Sequence, residues 1–346
     1  MNWDLLLAWG LPLAIAVALA ARGCWIAIRW APQLGLVDRP GSEAHKQHQR
    51  TTPYGGGLAM AVAVALALLV GERCCPLPGD VPWAVFAGAA CCLLIGLRDD
   101  WRPLSPWVKL AAVAAVAAPV VSLGDLSVDF LRRFDPALAW AMAWAWLVFV
   151  TNAYNLLDHA DGLCGSIALV GCATLAGGAA LAGDEAGARS WLCVAAALAG
   201  FLLFNRPPAR IYMGDAGSLA LGFLIGCGTL AVTFWPSGEG GSPLAVLSPL
   251  LICYIALFDT VAVMVKRWRR GQPLLRGDRR HISHRLARLG VGSRAGLGAV
   301  IALQVALAAA SFLLRGAELL DAVVIVAQAA AVAVALVLLE TARDHA

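Results

Sequence analysis

The chain contains eleven long apolar runs, and this feature limits its possible folds more than any other. A helix needs about 20 mostly apolar residues to cross about 30 Å of hydrocarbon. Runs of this kind lie at roughly 5–28, 55–71, 81–97, 107–123, 137–153, 163–182, 189–205, 215–234, 244–265, 295–314 and 319–340. The sequence therefore predicts an all-α polytopic membrane protein of about eleven transmembrane helices, folded as a single domain over 1–346.

The composition agrees with this fold class and excludes two others. Hydrophobic residues make up 60% of the chain and charged residues only 14%, which is too apolar for a disordered chain and leaves too little polar surface for a soluble globule. The ten cysteines include adjacent pairs but no CxxC, so neither a zinc site nor a disulfide framework is indicated. The apolar N-terminus lacks a basic start, and we interpret it as a retained first span.

The loops between the runs differ in their content of Lys and Arg. Of the 26 basic residues, 21 fall on one side of the predicted membrane. The loops on that side lie near 29–54, 98–109, 154–162, 205–214 and 266–294. Because basic loops stay in the cytoplasm, we expect this face to be cytoplasmic, the N-terminus to be outside and the C-terminus inside.

Carboxylates near a membrane core are costly and usually functional, and here they occur in five clusters. These are Asp38, Lys46 and His48 in the first loop; Asp99 and Asp100 after the third span; Asn152, Asn155, Asp158 and Asp161 at the end of the fifth; Asp215 at the start of the eighth; and Asp278, His281 and His284 in the last basic loop. All five fall on the predicted cytoplasmic face. Since that face was assigned from Lys and Arg alone, the agreement is a partly independent indication of a functional surface.

Two of the clusters suggest a bound cation. Asn152, Asn155 and Asp158 are spaced by three and share one face of a helix, and such oxygen ligands suit Mg²⁺. The alternative is a helix end with ordinary turn-forming residues. Asp99 and Asp100 are adjacent like charges, which either hold a cation or have one raised pKa, although Asp-Asp pairs are also common on surfaces.

The other clusters suggest phosphate recognition. Asp215 lies in MGDAGS at a predicted helix start, where glycines permit close approach and the helix end favours anions; a plain helix cap is the alternative. His281 and His284 could donate hydrogen bonds to a diphosphate, whereas most of the basic residues beside them fit the ordinary positive-inside pattern. Gly55–Gly57 could merely ease the start of the second span. Together these groups suit transfer between a soluble phosphorylated donor and a lipid phosphate.

In these motifs and their order, the sequence resembles the polyprenyl-phosphate N-acetylhexosamine-1-phosphate transferases (glycosyltransferase family 4), over roughly residues 35–295. It is most similar to the undecaprenyl-phosphate N-acetylglucosaminyl 1-phosphate transferase branch, which begins O-antigen and teichoic-acid synthesis. The resemblance implies that undecaprenyl phosphate attacks the β-phosphate of a UDP-N-acetylhexosamine and releases UMP. It also implies a requirement for Mg²⁺ (or Mn²⁺), an active site on the cytoplasmic face of a bacterial inner membrane and no nucleic-acid partner, and a homodimer is plausible.

The resemblance assigns a role to each matching position. The catalytic set is Asp99, Asp100, Asp158 and Asp161; the metal set is Asn155 and Asp215; and the substrate set is Lys46, His48, Lys109, Asn152, Asn205, Tyr212, His281 and His284. Within these sets, Asp99 would orient or deprotonate the acceptor and Lys109 would meet the lipid phosphate. Asn205 and Tyr212 would lie beside the uridine, and the two histidines would contact the diphosphate or sugar.

The sequence departs from the family pattern at a few positions, and other functions stay open. His159 stands where most members have Gly, Ser283 where many have a third His, and Val113 where Gln is frequent. These differences affect substrate choice more than reaction class. The peptidoglycan-precursor branch is the second choice within the family. An inactive relative that serves as a membrane scaffold is a further alternative, and a multi-span transporter is the alternative from a different class.

Overall fold

The computed structural model describes residues 6–38, 51–77, 83–232, 242–273 and 292–341, and these form a bundle of long helices. The α-helices are α1 (Leu11–Trp30), α2 (Gly56–Cys74), α3 (Trp83–Trp101), α4 (Pro106–Leu123), α5 (Asp129–Arg132), α6 (Pro136–Leu157), α7 (Leu163–Leu181), α8 (Glu185–Asn205), α9 (Gly214–Ala231), α10 (Ser248–Ile252), α11 (Tyr254–Arg269), α12 (Ser293–Leu313) and α13 (Leu319–Thr341). Two short strands, β1 (Val37–Asp38) and β2 (Thr52–Pro53), pair antiparallel.

A helical segment lies at each of the eleven predicted spans. Among the described residues, nine helices are long and apolar enough to cross a membrane. Leu244–Ile252 and α11 meet the same criteria of length and apolarity only when taken together, and they meet at a bend of 74°. At the third predicted span lies α3, a 19-residue helix whose last turn carries the charged residues Arg98, Asp99 and Asp100. The predicted fold class is thus confirmed, while the predicted orientation in the membrane stays a prediction.

Several helices begin at residues that the sequence marks as helix starts. Ser105 accepts a hydrogen bond from the Val108 amide at the start of α4, and Pro106 takes the first helical position. At the start of α6, Asp135 likewise accepts hydrogen bonds from the first amides, and Pro136 takes the first helical position. A side-chain oxygen at this position satisfies an amide that has no partner within the helix, and Pro has no amide to satisfy. The start of α4 places Lys109 in its first turn.

Helix α9 is the centre of the bundle. It packs against α2, α3, α6 and α7, and 83% of its membrane-spanning window is buried within the protein. Its glycines allow this packing: a Cβ at Gly222 would lie 2.8 Å from the Thr151 carbonyl oxygen on α6. Small residues let helices approach closely where no hydrophobic force holds them together. The first turn of α9 is therefore surrounded by the ends of other helices.

The bend between α10 and α11 is braced by one polar side chain from α12. Gln304 is fully buried. Its Oε1 accepts a hydrogen bond from the Ile255 amide at 3.1 Å, and its Nε2 donates to the carbonyls of Leu251 at 3.1 Å and Ile252 at 2.9 Å. A break in a transmembrane helix exposes backbone groups that must find partners inside the protein. Gln304 supplies partners for three of them.

We expect Gln304→Ala to lower the stability of the protein by about 2 kcal/mol or more, because it leaves buried backbone groups unsatisfied. Thermal unfolding of the detergent-solubilised protein would measure the loss. Gln328→Ala is the matched control, since Gln328 is exposed on the neighbouring helix α13. Equal melting temperatures for the two variants would contradict a bracing role for Gln304.

Candidate active site

A lysine and two aspartates from three helices meet at one end of the bundle. The Lys109 ammonium of α4 lies 3.1 Å from Asp99 Oδ2 at the end of α3, and it also pairs with Asp215 Oδ2 in the first turn of α9. Asp99 Oδ1 accepts a hydrogen bond from the Leu104 amide at 2.7 Å, which ties the α3–α4 connection to the cluster. The three side chains are mostly but not completely buried, with exposed fractions between 13% and 29%. One cation therefore bridges two acids at a site that a ligand can reach.

The second acid of the pair, Asp100, faces the backbone of α9. Its Oδ1 accepts a hydrogen bond from the Asp215 amide at 2.8 Å and its Oδ2 accepts one from the Ala216 amide at 3.1 Å. The structure thus brings Asp99, Asp100, Lys109 and Asp215 together, as the sequence predicts for residues of one site. The two neighbouring acids have different partners within it.

The polar stripe at the end of α6 divides into parts. Asn155 Nδ2 donates to Ser218 Oγ on α9 at 2.9 Å, and this bond leaves the amide oxygen of Asn155 as an acceptor. Asn152 instead donates to the Val148 carbonyl within its own helix at 2.8 Å. Asn155 is therefore joined to the helix that carries Asp215, whereas Asn152 is not joined to it by a hydrogen bond in the described part of the chain.

Asp158 follows directly after α6 and has an unusual environment. No hydrogen bond or ion pair links its carboxylate to any side chain that the structure describes. Burial, followed by the charges of Asp215, Asp100 and Asp161, raises the pKa of Asp158 well above its ordinary value of 3.8. Such a carboxylate, crowded by like charges, favours either a proton or a bound cation.

This raised pKa predicts how stability depends on pH in the absence of divalent cations. The folded state binds the Asp158 proton more tightly than the unfolded chain does, so stability falls as pH rises from the ordinary carboxyl value through the raised pKa. In EDTA, we expect Asp158→Asn to raise the melting temperature at mildly alkaline pH, with a gain that disappears as pH is lowered. Glu318→Gln, at an exposed carboxylate, should show no such gain. A lower melting temperature for Asp158→Asn at alkaline pH would contradict the assignment.

A second group of predicted residues surrounds the loop 206–213, which leads into α9. Asp161 Oδ2 accepts a hydrogen bond from the Ala209 amide at 2.8 Å, while its Oδ1 is buried and has no hydrogen-bond partner among the described residues. Asn205 is buried, accepts from the Gly162 amide at 3.0 Å and donates to the Ile211 carbonyl at 2.8 Å. The amide oxygen and the amide nitrogen of Asn205 thus each bind a backbone group, so this side chain connects the α6–α7 turn to the loop.

An aromatic pair lies beside that loop. The rings of Tyr212 and Tyr54 are 6.3 Å apart between centroids. Burial raises the pKa of Tyr212 to about 12, so its hydroxyl is neutral at physiological pH. With Asp161 and Asn205, this pair forms a second polar region next to the acid–lysine cluster.

The glycine triplet contributes more than its sequence suggests. Gly56 and Gly57 donate their amides to the carbonyls of Tyr212 and Met213 at 3.1 and 3.0 Å, and Tyr212 in turn donates to the Pro53 carbonyl at 2.9 Å. A Cβ at Gly57 would overlap the backbone of Gly217 in α9. The start of α2 therefore holds the loop that carries Tyr212, and only glycine fits there. In the sequence, the signal for this role was the run of three glycines at a predicted helix start.

Four predicted substrate residues lie outside the described residues: Lys46 and His48 in the first loop, and His281 and His284 in the last. The described end of the first loop does approach the site, because Pro53 of β2 accepts a hydrogen bond from the Tyr212 amide. The roles of these four residues stay predictions.

These features define a polytopic membrane protein with an acid–lysine cluster where three helices end, and the comparisons place it in a known family. The family described as glycosyl transferase family 4 matches residues 82–233, which contain the cluster. A probable undecaprenyl-phosphate N-acetylglucosaminyl 1-phosphate transferase of Bacillus subtilis strain 168 is 32% identical over 272 residues, which cover 77% of this chain and 74% of that protein.

Two further relatives agree. A decaprenyl-phosphate N-acetylglucosaminephosphotransferase of Mycolicibacterium smegmatis is 30% identical over 82% of this chain and 77% of its own. An undecaprenyl-phosphate alpha-N-acetylglucosaminyl 1-phosphate transferase of Escherichia coli K12 is 28% identical over 76% of this chain and 72% of its own. The chain belongs to glycosyl transferase family 4, and it is a multi-pass membrane transferase. This membership argues against the transporter alternative.

Proposed function

We propose that this protein transfers N-acetylhexosamine 1-phosphate, with N-acetylglucosamine 1-phosphate as the first choice, from a UDP-sugar to undecaprenyl phosphate at the cytoplasmic face of a bacterial inner membrane. An oxygen of the lipid phosphate forms a bond to the β-phosphorus of the donor. The bond from that phosphorus to the oxygen bridging it to the α-phosphate breaks, and UMP leaves. The relatives named for this reaction, together with the acid–lysine cluster, support the proposal.

The observation that carries it is the Lys109 ammonium held between Asp99 and Asp215 where three helices end. A phosphate monoester is already largely ionised at neutral pH, so the acceptor needs placement and charge neutralisation more than deprotonation. Lys109 supplies a positive charge for this phosphate, and Asp99 fixes the ammonium through its own anchored carboxylate. Phosphoryl transfer depends mainly on such positioning and electrostatic stabilisation.

The residues around Asp158 fit a divalent cation. In the described part of the chain, no group of three or more His, Cys, Asp or Glu side chains is arranged to hold a metal alone. Mg²⁺ does not need such a group, because it takes one or two carboxylates and completes its shell with waters and phosphate oxygens. Asp158, Asp215 and the amide oxygen of Asn155 would hold it. When bound, Mg²⁺ would neutralise charge on the donor diphosphate, and Mn²⁺ could replace it.

The uridine would lie at the second polar region. Asp161 has a buried carboxylate oxygen with no hydrogen-bond partner among the described residues, which can accept a hydrogen bond from a base N–H. Tyr212 offers an aromatic ring on the same loop, 206–213, that Asp161 binds through the Ala209 amide. Asn205 holds this loop to the α6–α7 turn. His159, whose Nδ1 lies 3.1 Å from the Leu156 carbonyl oxygen, is placed between Asp158 and Asp161 and bears on donor choice.

The test is to incubate the purified protein with undecaprenyl phosphate, Mg²⁺ and a panel of labelled UDP-sugars, including UDP-N-acetylglucosamine and UDP-N-acetylgalactosamine. We expect a labelled lipid with at least one UDP-N-acetylhexosamine and none when Mg²⁺ is removed with EDTA. A product only with a UDP-muramoyl-peptide donor would favour the peptidoglycan-precursor alternative. No lipid product with any donor would reject the proposed function.

A further inference from the structure

The two neighbouring acids at the end of α3 face different groups. Asp99 contacts the Leu104 amide and the Lys109 ammonium. Asp100 gives one oxygen to the Asp215 amide and the other to the Ala216 amide. Successive residues on a helix point about 100° apart, which lets the two adjacent carboxylates bind different groups. The pair is therefore two single acids with separate partners.

The amides that Asp100 contacts lack partners within their own helix. The first four amides of an α-helix have no carbonyl to bond, and Asp215 and Ala216 both lie in the first turn of α9. No side chain of the preceding residue, Met213, caps that helix. The Asp100 carboxylate does so from the neighbouring helix. The positive end of the helix dipole also favours a carboxylate at this place.

Two glycines make this contact between helices sterically feasible. Gly214 has a φ of +74°, and a Cβ there would lie 2.5 Å from Asp100 Oδ2. Gly96, one turn before Asp100, faces the same peptide, and a Cβ there would overlap the Asp215 carbonyl and the Ala216 amide nitrogen. The backbones of α3 and α9 are thus in direct contact, and a side chain at either position would separate the carboxylate from the amides.

We propose that Asp100 is a positioning residue: by capping α9 from α3, it fixes the Asp215 carboxylate against Lys109. This rests on the proposed function, which places Lys109 and Asp215 in the reaction centre. Asp100 then acts by accepting two hydrogen bonds. It neither removes a proton from the acceptor nor contacts a substrate, and the acids of the pair are not interchangeable.

The test compares Asp100→Asn with Asp100→Ala. The amide oxygen of Asn can still accept one of the two hydrogen bonds, whereas neither Asn nor Ala can take up a proton. For a cap, we expect kcat of the Asn variant to exceed that of the Ala variant by about tenfold, which is what one retained hydrogen bond provides. Melting temperatures should fall in the order wild type, Asn, Ala.

Gly214→Ala tests the Asp100 cap independently, because this substitution removes no polar group. We expect it to lower kcat and the melting temperature as Asp100→Ala does, since the new Cβ displaces the carboxylate. Gly183→Ala is the control for backbone strain: Gly183 has a φ of +81°, and a Cβ there would meet no atom within 4 Å. It should leave kcat unchanged.

Equally inactive Asn and Ala variants with the melting temperature of the wild type would overturn the proposal, because that result indicates proton transfer or ligand binding by Asp100. Failure of the proposed function has a different signature, since the wild type itself would make no lipid product. The melting temperatures then decide alone: the order wild type, Asn, Ala supports the cap, and equal values overturn it.

Discussion

Replacing Lys109 by Met is expected to reduce turnover by about a hundredfold to a thousandfold, the usual cost of removing one electrostatic group from a reaction centre. Met keeps the length and apolar stem of the side chain and removes only the charge. Asp99 and Asp215 would then lose the ammonium that joins them. Two like charges about 4 Å apart repel by about 4 kcal/mol at an effective dielectric of 20, and the acceptor phosphate would add to that repulsion.

The measurement is UMP release by the purified variant, with size-exclusion chromatography and thermal unfolding as checks of folding. Arg132→Met is the matched control, because Arg132 also pairs with an aspartate, Asp125, at 3.1 Å, but both side chains are largely exposed. Exposed pairs contribute little, so this control should retain turnover within about twofold of the wild type. A folded Lys109→Met protein with full turnover would remove Lys109 from the reaction centre.

Gly57→Ala is expected to disrupt the site although glycine carries no chemistry. The added Cβ would overlap the Gly217 backbone and lie 3.0 Å from the Met213 carbonyl oxygen, to which Gly57 donates its amide. Overpacking of this kind costs about 1–3 kcal/mol, and more where backbone must move. We expect a lower melting temperature and a fall in turnover of about tenfold or more, since α2 would move away from the first turn of α9.

Gly298→Ala is the control for this substitution. Gly298 lies within α12 and has open space where a Cβ would be, and Ala is the better helix former by about 1 kcal/mol. Its variant should match or exceed the wild type in melting temperature and retain turnover. If Gly57→Ala behaves in the same way, the close contact between α2 and α9 does not support the site.

The sequence predicts the helical spans well because each one is a local property. About 20 apolar residues in a row define a span, and Pro106 and Pro136 mark where two of them begin. The bend between α10 and α11 is not local. It depends on Gln304 of α12, about 50 residues later, and an apolar run from 244 to 265 gives no sign of that partner.

The site was predictable as a set of residues but less so as an arrangement. Asp99, Lys109 and Asp215 lie apart in the sequence, and their charge in apolar surroundings indicates function. The separate partners of Asp99 and Asp100 follow from the crossing of α3 and α9, which the glycines at 96 and 214 permit. Asn205 is similar, because its two backbone partners belong to the α6–α7 turn and to the loop 206–213, and no local pattern reveals them.

The most direct test of the central account follows the β-phosphate of the donor. Purified protein is given undecaprenyl phosphate, Mg²⁺ and UDP-N-acetylglucosamine labelled with ³²P in the β-phosphate, and the Asp215→Asn variant is assayed beside it. Transfer of a sugar 1-phosphate places the label in the lipid and releases unlabelled UMP in equal amount, and the variant loses both products. Label that stays in released UDP, or a labelled lipid made equally well by Asp215→Asn, would contradict the account.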